Sequence, residues 1–288
     1  MRYRFIREHA DTFSIGRMCQ ALSVSRSGYY AWLRRSEPRR SRRNRRLLID
    51  IKAVFRASRQ NYGSPRVYQA LRAQAISCSV NRVARLMRVE GIQARRRRRF
   101  KPRTTDSTHV HPVASNLLAR QFRVDGADRV WMADITYIAT QEGWLYLAVI
   151  IDLYSRFVVG WSMSARVTSQ LTIDALTMAL HRRRPAPALV HHSDRGSQYA
   201  SGDYRIVLQK HKIISSMSRK GNCYDHAPVE SFFGTLKTEL VHHRTYRSRA
   251  EAKADIFDYL EVFYNRQRLH SSLGYRSPAA FERLAVAA

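Results

Sequence analysis

Three successive β-strands are predicted at residues 130–164, which read VWMADITYIATQEGWLYLAVIIDLYSRFVVGWSMS. Aromatic and β-branched residues dominate the segments 130–139, 144–154 and 156–164, and the gaps between them have hairpin length. Asp134 stands at the centre of the first segment, among residues typical of a central strand. An acidic side chain in such a buried setting is rare, which makes Asp134 a candidate functional residue.

Helices and short strands alternate after this stretch. The pattern predicts a helix over 169–184, a strand over 188–194, a helix over 204–211 and a strand over 212–218. Asp194 ends the first of these two strands. This order of elements predicts an α/β fold, a mixed sheet with helices packed on it.

An amphipathic helix is predicted over residues 227–240, with Asp225 as a cap at its start. Glu230, Gly234 and Lys237 share one face, because seven residues make nearly two turns. The opposite face has core-facing spacing and consists of Val229, Phe232, Phe233, Leu236 and Leu240.

Three acids, Asp134, Asp194 and Glu230, therefore come from a strand centre, a strand end and a helix face. Each acid by itself could be a cap or a surface charge, whereas rigid supports of this kind are what a metal site needs. A set of oxygen ligands without cysteine favours Mg²⁺ or Mn²⁺ over zinc.

The other conspicuous side chains of this region are expected to be structural. His191 and His192 precede Asp194 and are interpreted as structural rather than as ligands. The tryptophans are expected in the core: Trp131, Trp144 and Trp161.

Charge is distributed unevenly along the 288 residues. The chain has 51 Lys+Arg against 22 Asp+Glu, a formal net charge of +29. Residues 1–105 hold 28 Lys+Arg and 5 Asp+Glu, giving +23, and the remainder holds 23 against 17, giving +6. A basic arm on a nearly balanced remainder favours a nucleic-acid partner over a surface that is basic only for solubility.

Two helix-turn-helix candidates lie in the basic arm. In SIGRMCQALSVSRSGYYAWLRR (14–35), Ser25 is expected to cap a second helix that offers Arg26, Ser27 and Tyr29 to a DNA groove. Short helical hairpins are common, however, and most of them bind no DNA.

The second candidate follows at residues 64–91. Ser64 and Ser79 are expected to cap its two helices, and the second helix ends at Gly91. The outer face of that helix is predicted to carry the DNA-contacting side chains Asn81, Arg82 and Arg85.

A block of arginines follows, and it is expected to neutralise phosphates from a solvated tether without reading base sequence. It consists of Arg95, Arg96, Arg97, Arg98 and Arg99.

Cysteine use and hydropathy indicate an intracellular, soluble protein without a membrane partner. Cys19, Cys78 and Cys223 are far apart and form no CxxC pair, so neither a disulfide framework nor a zinc site is expected. No apolar run is long enough to span a bilayer.

The spacing of the acids resembles a known signature. Thirty-five residues separate Asp194 from Glu230, since 230 − 194 − 1 = 35, and Lys237 lies seven beyond the glutamate. This resembles the DDE signature of retroviral integrases and insertion-sequence transposases. The strings WMADITYI, LAVIIDLYSRFVVGW, HHSDRGSQYAS and SMSRKGNCYDHAPVESFFGTLKTEL, with SVSRSGYYAW and NYGSPRVYQALR, resemble the second-frame product (OrfB) of insertion-sequence family three over nearly the whole chain.

The resemblance implies an RNase H-like integrase catalytic core and DNA strand transfer. Asp134 and Asp194 would hold two divalent ions, Mg²⁺ or Mn²⁺, with Glu230 completing the second site, and Lys237 would grip a DNA phosphate near the scissile bond. Two ions about 3.5–4 Å apart stabilise attacking and leaving oxygens in an in-line displacement. Water would nick the element's end, and the freed 3′-hydroxyl would then attack target DNA.

Four regions are expected: a helix-turn-helix region at 1–46, a second helix-turn-helix-like domain at 47–94, a basic linker at 95–121 and the catalytic core with its C-terminal helix and tail at 122–288. Small all-α regions thus precede the mixed-sheet core. The expected partners are element ends, target DNA and further copies of the chain, and the resemblance adds an upstream-frame product or fusion. The expected location is the cytoplasm, at the nucleoid.

Two alternatives remain open at this point. A DNA-binding regulator with an inert core would account for the helix-turn-helix candidates and leave the acids unexplained. An RNase H-like nuclease would share the metal chemistry but would not need an arm that recognises specific ends.

Overall fold

A computed structural model describes residues 1–35, 37–95, 112–219 and 223–287 of the chain. The described part of the chain contains one five-stranded sheet, in the order β3-β2-β1-β4-β5. Its strands are β1 (Val130–Thr140), β2 (Gly143–Asp152), β3 (Val158–Ser164), β4 (Val190–Ser193) and β5 (Ile214–Met217).

Strand β1 is the central strand of the sheet. It pairs antiparallel with β2 over residues 131–140, and its first three residues, 130–132, pair parallel with β4. Strands β4 and β5 are also parallel, whereas β2 and β3 are antiparallel. The predicted mixed sheet is confirmed, and β1 projects beyond the short β4, so Asp134 lies just past their last paired residues.

Helices cover both faces of the sheet. In chain order they are α7 (Ser169–Arg183), α8 (Ser197–Ala200), α9 (Gly202–Lys210), α10 (Ala227–Glu239), α11 (Arg249–Asp258) and α12 (Pro278–Ala287). Helix α11 continues as a π-helix, Tyr259–Tyr264, and short 3₁₀ turns lie at Cys223–His226, Val241–His243 and Ser271–Leu273.

Alternate residues of β1 point to two separate cores, as the two-residue period of a strand requires. Met132 and Ile138 pack in the cluster that contains the apolar face of α10, whereas Trp131 and Ala133 pack in the cluster with α7 and α9. On the latter side α7 lies directly on Gly160 of β3, where an added Cβ would be only 2.2 Å from the carbonyl oxygen of Ala175.

Six helices precede the sheet in the described ranges. They are α1 (Arg2–Glu8), α2 (Ile15–Ala21), α3 (Arg26–Arg34), α4 (Arg39–Ala57), α5 (Ser64–Ala73) and α6 (Val80–Val89). Helices α1 to α3 bury a small cluster of their own, whereas the apolar faces of α4 to α6 belong to the same cluster as α10 and the sheet.

The region α4–α6 is attached to the C-terminal part of the chain by polar contacts as well. The amide of Leu269 donates to the Tyr62 hydroxyl at 2.7 Å, and this hydroxyl donates to the carbonyl of Gln267 at 3.3 Å. Arg59 forms an ion pair with Asp258 at 2.7 Å. These helices therefore pack against the sheet domain.

Two of the predicted helix caps are confirmed and two are wrong. The side chains of Ser25 and Ser79 accept hydrogen bonds from the backbone amides three residues on. Ser64 instead is the first residue of α5, after Gly63 at the N-cap. Asp225 lies in a 3₁₀ turn, and the N-cap of α10 is His226 without a side-chain bond, because the Asp225 carboxylate binds other partners. Those partners are Asn116, Arg120 and Arg219.

Candidate active site

Asp134 is half-buried on the face of β1 that packs against α10. Its Oδ1 accepts a hydrogen bond from the amide of Ile135 at 2.7 Å. Burial raises the pKa of the Asp134 carboxyl well above its usual range, and the negative charges of Asp194 and then Glu230 raise it further. Lys237 acts in the opposite direction. The fold thus brings all four predicted residues into electrostatic contact.

Asp194 directly follows β4, at the edge of the sheet next to the free part of β1. Its Oδ1 accepts a hydrogen bond from the Gly196 amide at 2.9 Å, and an added Cβ at Gly196 would lie 3.0 Å from the same oxygen. This turn therefore holds the carboxylate close to the backbone. The buried hydroxyl of Tyr199 lies nearby, and its pKa is raised by burial, by Tyr204 and by the charges of Asp134 and Asp194.

Helix α10 supplies Glu230 and Lys237, as the helical spacing predicts. Its opposite face is buried and consists of Val229, Phe232, Phe233 and Leu236. Glu230 is exposed, whereas Lys237 is half-buried with its Nζ 4.8 Å from the centroid of the Tyr137 ring. Burial lowers the pKa of Lys237, and the charge of Asp134 partly offsets this shift.

The donor set fits a hard divalent cation in its chemistry. Three carboxylates converge around β1, and oxygen donors are the ligands that Mg²⁺ and Mn²⁺ prefer. Within the described ranges no three His, Cys, Asp or Glu side chains approach closely enough to enclose one ion. The charges of Asp194 and Glu230 both act on Asp134, but the three acids do not form a closed metal cage.

The histidines beside Asp194 are structural, as expected. His191 and His192 are buried, and their ring nitrogens bond the Tyr204 hydroxyl at 2.9 Å and the Ser216 hydroxyl at 2.9 Å. Burial lowers the pKa of His191 to about 3 and of His192 to about 4, so both rings are neutral near pH 7.

The first helix-turn-helix candidate presents only part of its predicted surface. Arg26 and Ser27 are exposed at the start of α3. The prediction that Tyr29 faces a groove is wrong, because its ring is 2% exposed and packs against Tyr3 and Trp32.

The second candidate also differs from the prediction at one position. Asn81 and Arg85 are exposed on α6. Arg82 is half-buried, and its Nε donates to the Asn44 side chain on α4 at 2.9 Å. Arg82 therefore joins two helices and does not extend freely from the outer face.

The prediction that Arg95 belongs to a solvated tether is wrong. Arg95 lies against α10, where its guanidinium donates to the carbonyl oxygen of Glu239. The other members of the arginine block lie outside the described residues: Arg96, Arg97, Arg98 and Arg99.

Sequence reasoning also misplaced one residue near the site. Trp144 is 50% exposed, whereas Trp131 is buried as predicted and Trp161 is half-buried. The Trp144 ring packs edge-on against Tyr137, with 4.8 Å between centroids. Its place at the start of β2, next to the turn, was the signal that could have indicated exposure.

Comparisons with known proteins agree with this architecture. A family model described as "Integrase core domain" matches residues 125–223, a second with the same description matches 230–284, and one described as "HTH-like domain" matches 42–100. Among solved structures, the magnesium complex of the HTLV-2 integrase catalytic core is 18% identical, with a TM-score of 0.44, over 56% of this chain and 99% of that one.

Relatives of known sequence match over almost their full length. The chain is 47% identical to the transposase InsF for insertion sequence IS3A of Escherichia coli K12, over 98% of both chains. It is 48% identical to the 31 kDa protein of insertion element IS600 of Shigella sonnei, over 92% of this chain and 97% of that one. The protein is therefore a member of the IS3 family of insertion-sequence transposases, with an integrase core domain.

Proposed function

We propose that this protein binds the ends of an insertion element, cleaves the DNA there and joins the freed 3′-hydroxyl to target DNA. The observation that supports the proposal is that the negative charges of Asp194 and Glu230 both act on Asp134, which lies just past the last residues that β1 pairs with β4. An inert core would have no use for two carboxylates that repel the half-buried Asp134 and raise its pKa.

The three acids are proposed to hold two divalent ions, Mg²⁺ or Mn²⁺. When bound, such ions stabilise negative charge on the attacking and leaving oxygens of a phosphodiester. The chain itself fixes the carboxylates on β1, at the end of β4 and on α10. Lys237, half-buried beside Asp134, is proposed to bind a phosphate next to the scissile bond and so to orient the DNA strand.

A strand-joining assay tests this function. Purified protein is incubated with Mg²⁺ and a duplex carrying the terminal inverted repeat that flanks the coding frame. Joined products support a transposase, cleavage without joining indicates a nuclease, and binding without cleavage indicates a regulator. Asp194→Asn is expected to bind the duplex and join none. The control is Asp174→Asn, exposed on α7, which is expected to join normally.

We also infer that the protein acts on the nucleoid as an assembly of several copies, together with an upstream-frame product or fusion. Two DNA ends must meet before both are joined, which a single active site does not achieve. Mass photometry on the end-bearing duplex checks the copy number, with and without co-expressed upstream-frame product. One monomer per joined pair of ends would contradict the assembly.

A further inference from the structure

A cavity of about 540 Å³ opens between the HTH-like region and α10, next to the candidate active site. The HTH-like side contributes Asn61, Gly63 and Arg66, and α10 contributes the stripe Glu230, Gly234 and Thr238. Arg95, Glu239 and Arg268 are its other charged residues. Glu230 is thus shared between this cavity and the carboxylate cluster.

Two polar side chains of the wall lack hydrogen-bond partners in the described part of the chain. Asn61 is 5% exposed, and neither its amide nitrogen nor its amide oxygen is bonded. The hydroxyl of Thr238, in the part of the wall that α10 contributes, is also buried without a partner. Buried polar groups are nearly always bonded, so an unsatisfied amide lining a cavity indicates a group that binds there.

The charges of the wall favour an anion. The wall carries three arginines against two carboxylates, a net charge of +1 (3 − 2). Glu239 is bonded by Arg268 at 2.6 and 2.8 Å and also forms a longer ion pair with Arg66 at 3.7 Å. Burial and the neighbouring Arg268 lower the pKa of Arg66, because both disfavour its charged form. A bound anion would stabilise the charged guanidinium and so offset this effect.

The start of α5 adds to this preference. The ten-residue helix begins behind Gly63, which provides no side-chain cap, so its first amides lack an acceptor of that kind. Helix N-termini of this sort favour anions through their free N–H groups and the helix dipole.

From this geometry we propose that the cavity binds one phosphodiester of the DNA strand whose scissile bond lies at Glu230. This inference rests on the proposed function and assigns the site a second anchor point. Glu230 and Thr238 are eight residues apart, about 12 Å along the helix axis. A strand carries one phosphate per about 3.4 Å of duplex axis, so the anchored phosphate lies within about four nucleotides of the scissile one.

The site joins two parts of the chain in one contact. Asn61 and Arg66 belong to the HTH-like region, whereas Thr238 belongs to the helix that carries Glu230. A phosphate held between them would set the distance from the end-binding region to the scissile bond.

The test uses the double variant Asn61→Leu with Thr238→Val, which removes polar groups at nearly constant volume and changes no charge. Affinity for the end-bearing duplex is measured by fluorescence anisotropy without divalent cation. We expect it to fall about tenfold or more, the effect of losing charge-assisted hydrogen bonds. Thermal stability should stay equal or rise, since buried unsatisfied groups are removed. Thr177→Val, at an exposed position of α7, is the control.

A second measurement keeps the test independent of how the variant folds. Single neutral methylphosphonates are placed at each of the first four phosphates on either side of the scissile bond. One position besides the scissile phosphate should weaken binding by the wild-type protein, and the double variant should be insensitive there. Wild-type affinity in the double variant, or no sensitive position, would overturn the proposal.

A third measurement, with inorganic phosphate, distinguishes a DNA phosphate from a free anion as the group that the cavity binds. If phosphate alone raises the Tm of the wild type but not of the double variant, and no methylphosphonate has an effect, the cavity binds free phosphate and the DNA assignment is wrong. Because binding is measured without divalent cation, the result does not depend on catalysis. Normal joining by Asp194→Asn would contradict the proposed function and leave this binding result standing.

Discussion

The ammonium nitrogen of Lys237 lies 4.8 Å from the centroid of the Tyr137 ring, so a cation–π contact joins α10 to the central strand. Such a contact contributes about 0.5–1 kcal/mol at partly exposed sites. Tyr137 lies three residues after Asp134 on β1, and the charge of Lys237 acts on that carboxylate. The lysine therefore has a fixed position beside the acids.

Replacing Lys237 by glutamine is expected to weaken binding of the end-bearing duplex, because it removes one cation from the proposed phosphate contact. The slope of log affinity against log salt concentration should fall by about 1. Fluorescence anisotropy over a range of salt concentrations measures both quantities. The control is Lys253→Gln, exposed on α11, and an equal effect of the two variants would exclude a specific contact at Lys237.

The pKa of Asp134 is expected to respond to its neighbours with opposite signs. Asp194→Asn removes a negative charge and should lower the pKa, whereas Lys237→Gln removes a positive charge and should raise it. Carbon-detected NMR titration of the Asp134 carboxyl, in buffer free of divalent cations, measures both shifts. An unchanged pKa in Asp194→Asn would contradict the convergence of the two acids.

Glu239→Gln is expected to destabilise the protein by about 3–5 kcal/mol, the usual cost of breaking a buried ion pair. The carboxylate accepts bonds from Arg268 and from the Tyr259 hydroxyl, and the Arg268 side chain is only 4% exposed. Chemical denaturation measures the change. The exposed pair of Glu37 with Arg45 provides the control, since Glu37→Gln should cost less than about 1 kcal/mol. Equal effects would show that Glu239 is hydrated.

Mild acid is expected to lower the free energy of unfolding through buried neutral histidines. Burial lowers the pKa of His191 to about 3 and of His192 and His226 to about 4. An unfolded histidine has a pKa of about 6.5, so the unfolded chain binds more protons and stability is lost as pH falls from about 6.5 to about 4.

Urea denaturation at about pH 7 and about pH 5 measures this loss, with a slope of up to about 1.4 kcal/mol per pH unit for each histidine. His226→Gln should lower the number of protons taken up on unfolding by one, because burial holds the pKa of His226 at about 4 in the folded protein. The same pH dependence in the variant would mean that His226 is protonated or exposed in the folded protein.

Local pattern was sufficient for the secondary structure and for the location of the acids. The two-residue alternation around Asp134, the apolar strand that ends before Asp194 and the 3.6-residue period around Glu230 each depend on near neighbours in the chain. Strand and helix geometry then determine which side chains share a face. The predicted mixed sheet and the face carrying Glu230 and Lys237 follow from these local rules.

Only the tertiary structure decided which of the predicted DNA-contact residues are accessible to DNA. Tyr29 and Arg82 have helical positions compatible with DNA contact. Tyr29, however, is buried against Trp32, and Arg82 is held by a hydrogen bond to Asn44. The cavity at Asn61 could not be predicted from the sequence either, because Asn61 and the α10 residues in its wall are more than 160 positions apart in the chain (227 − 61 = 166). Contacts at such sequence separation depend on how the helices pack against the sheet, and no local periodicity encodes that packing.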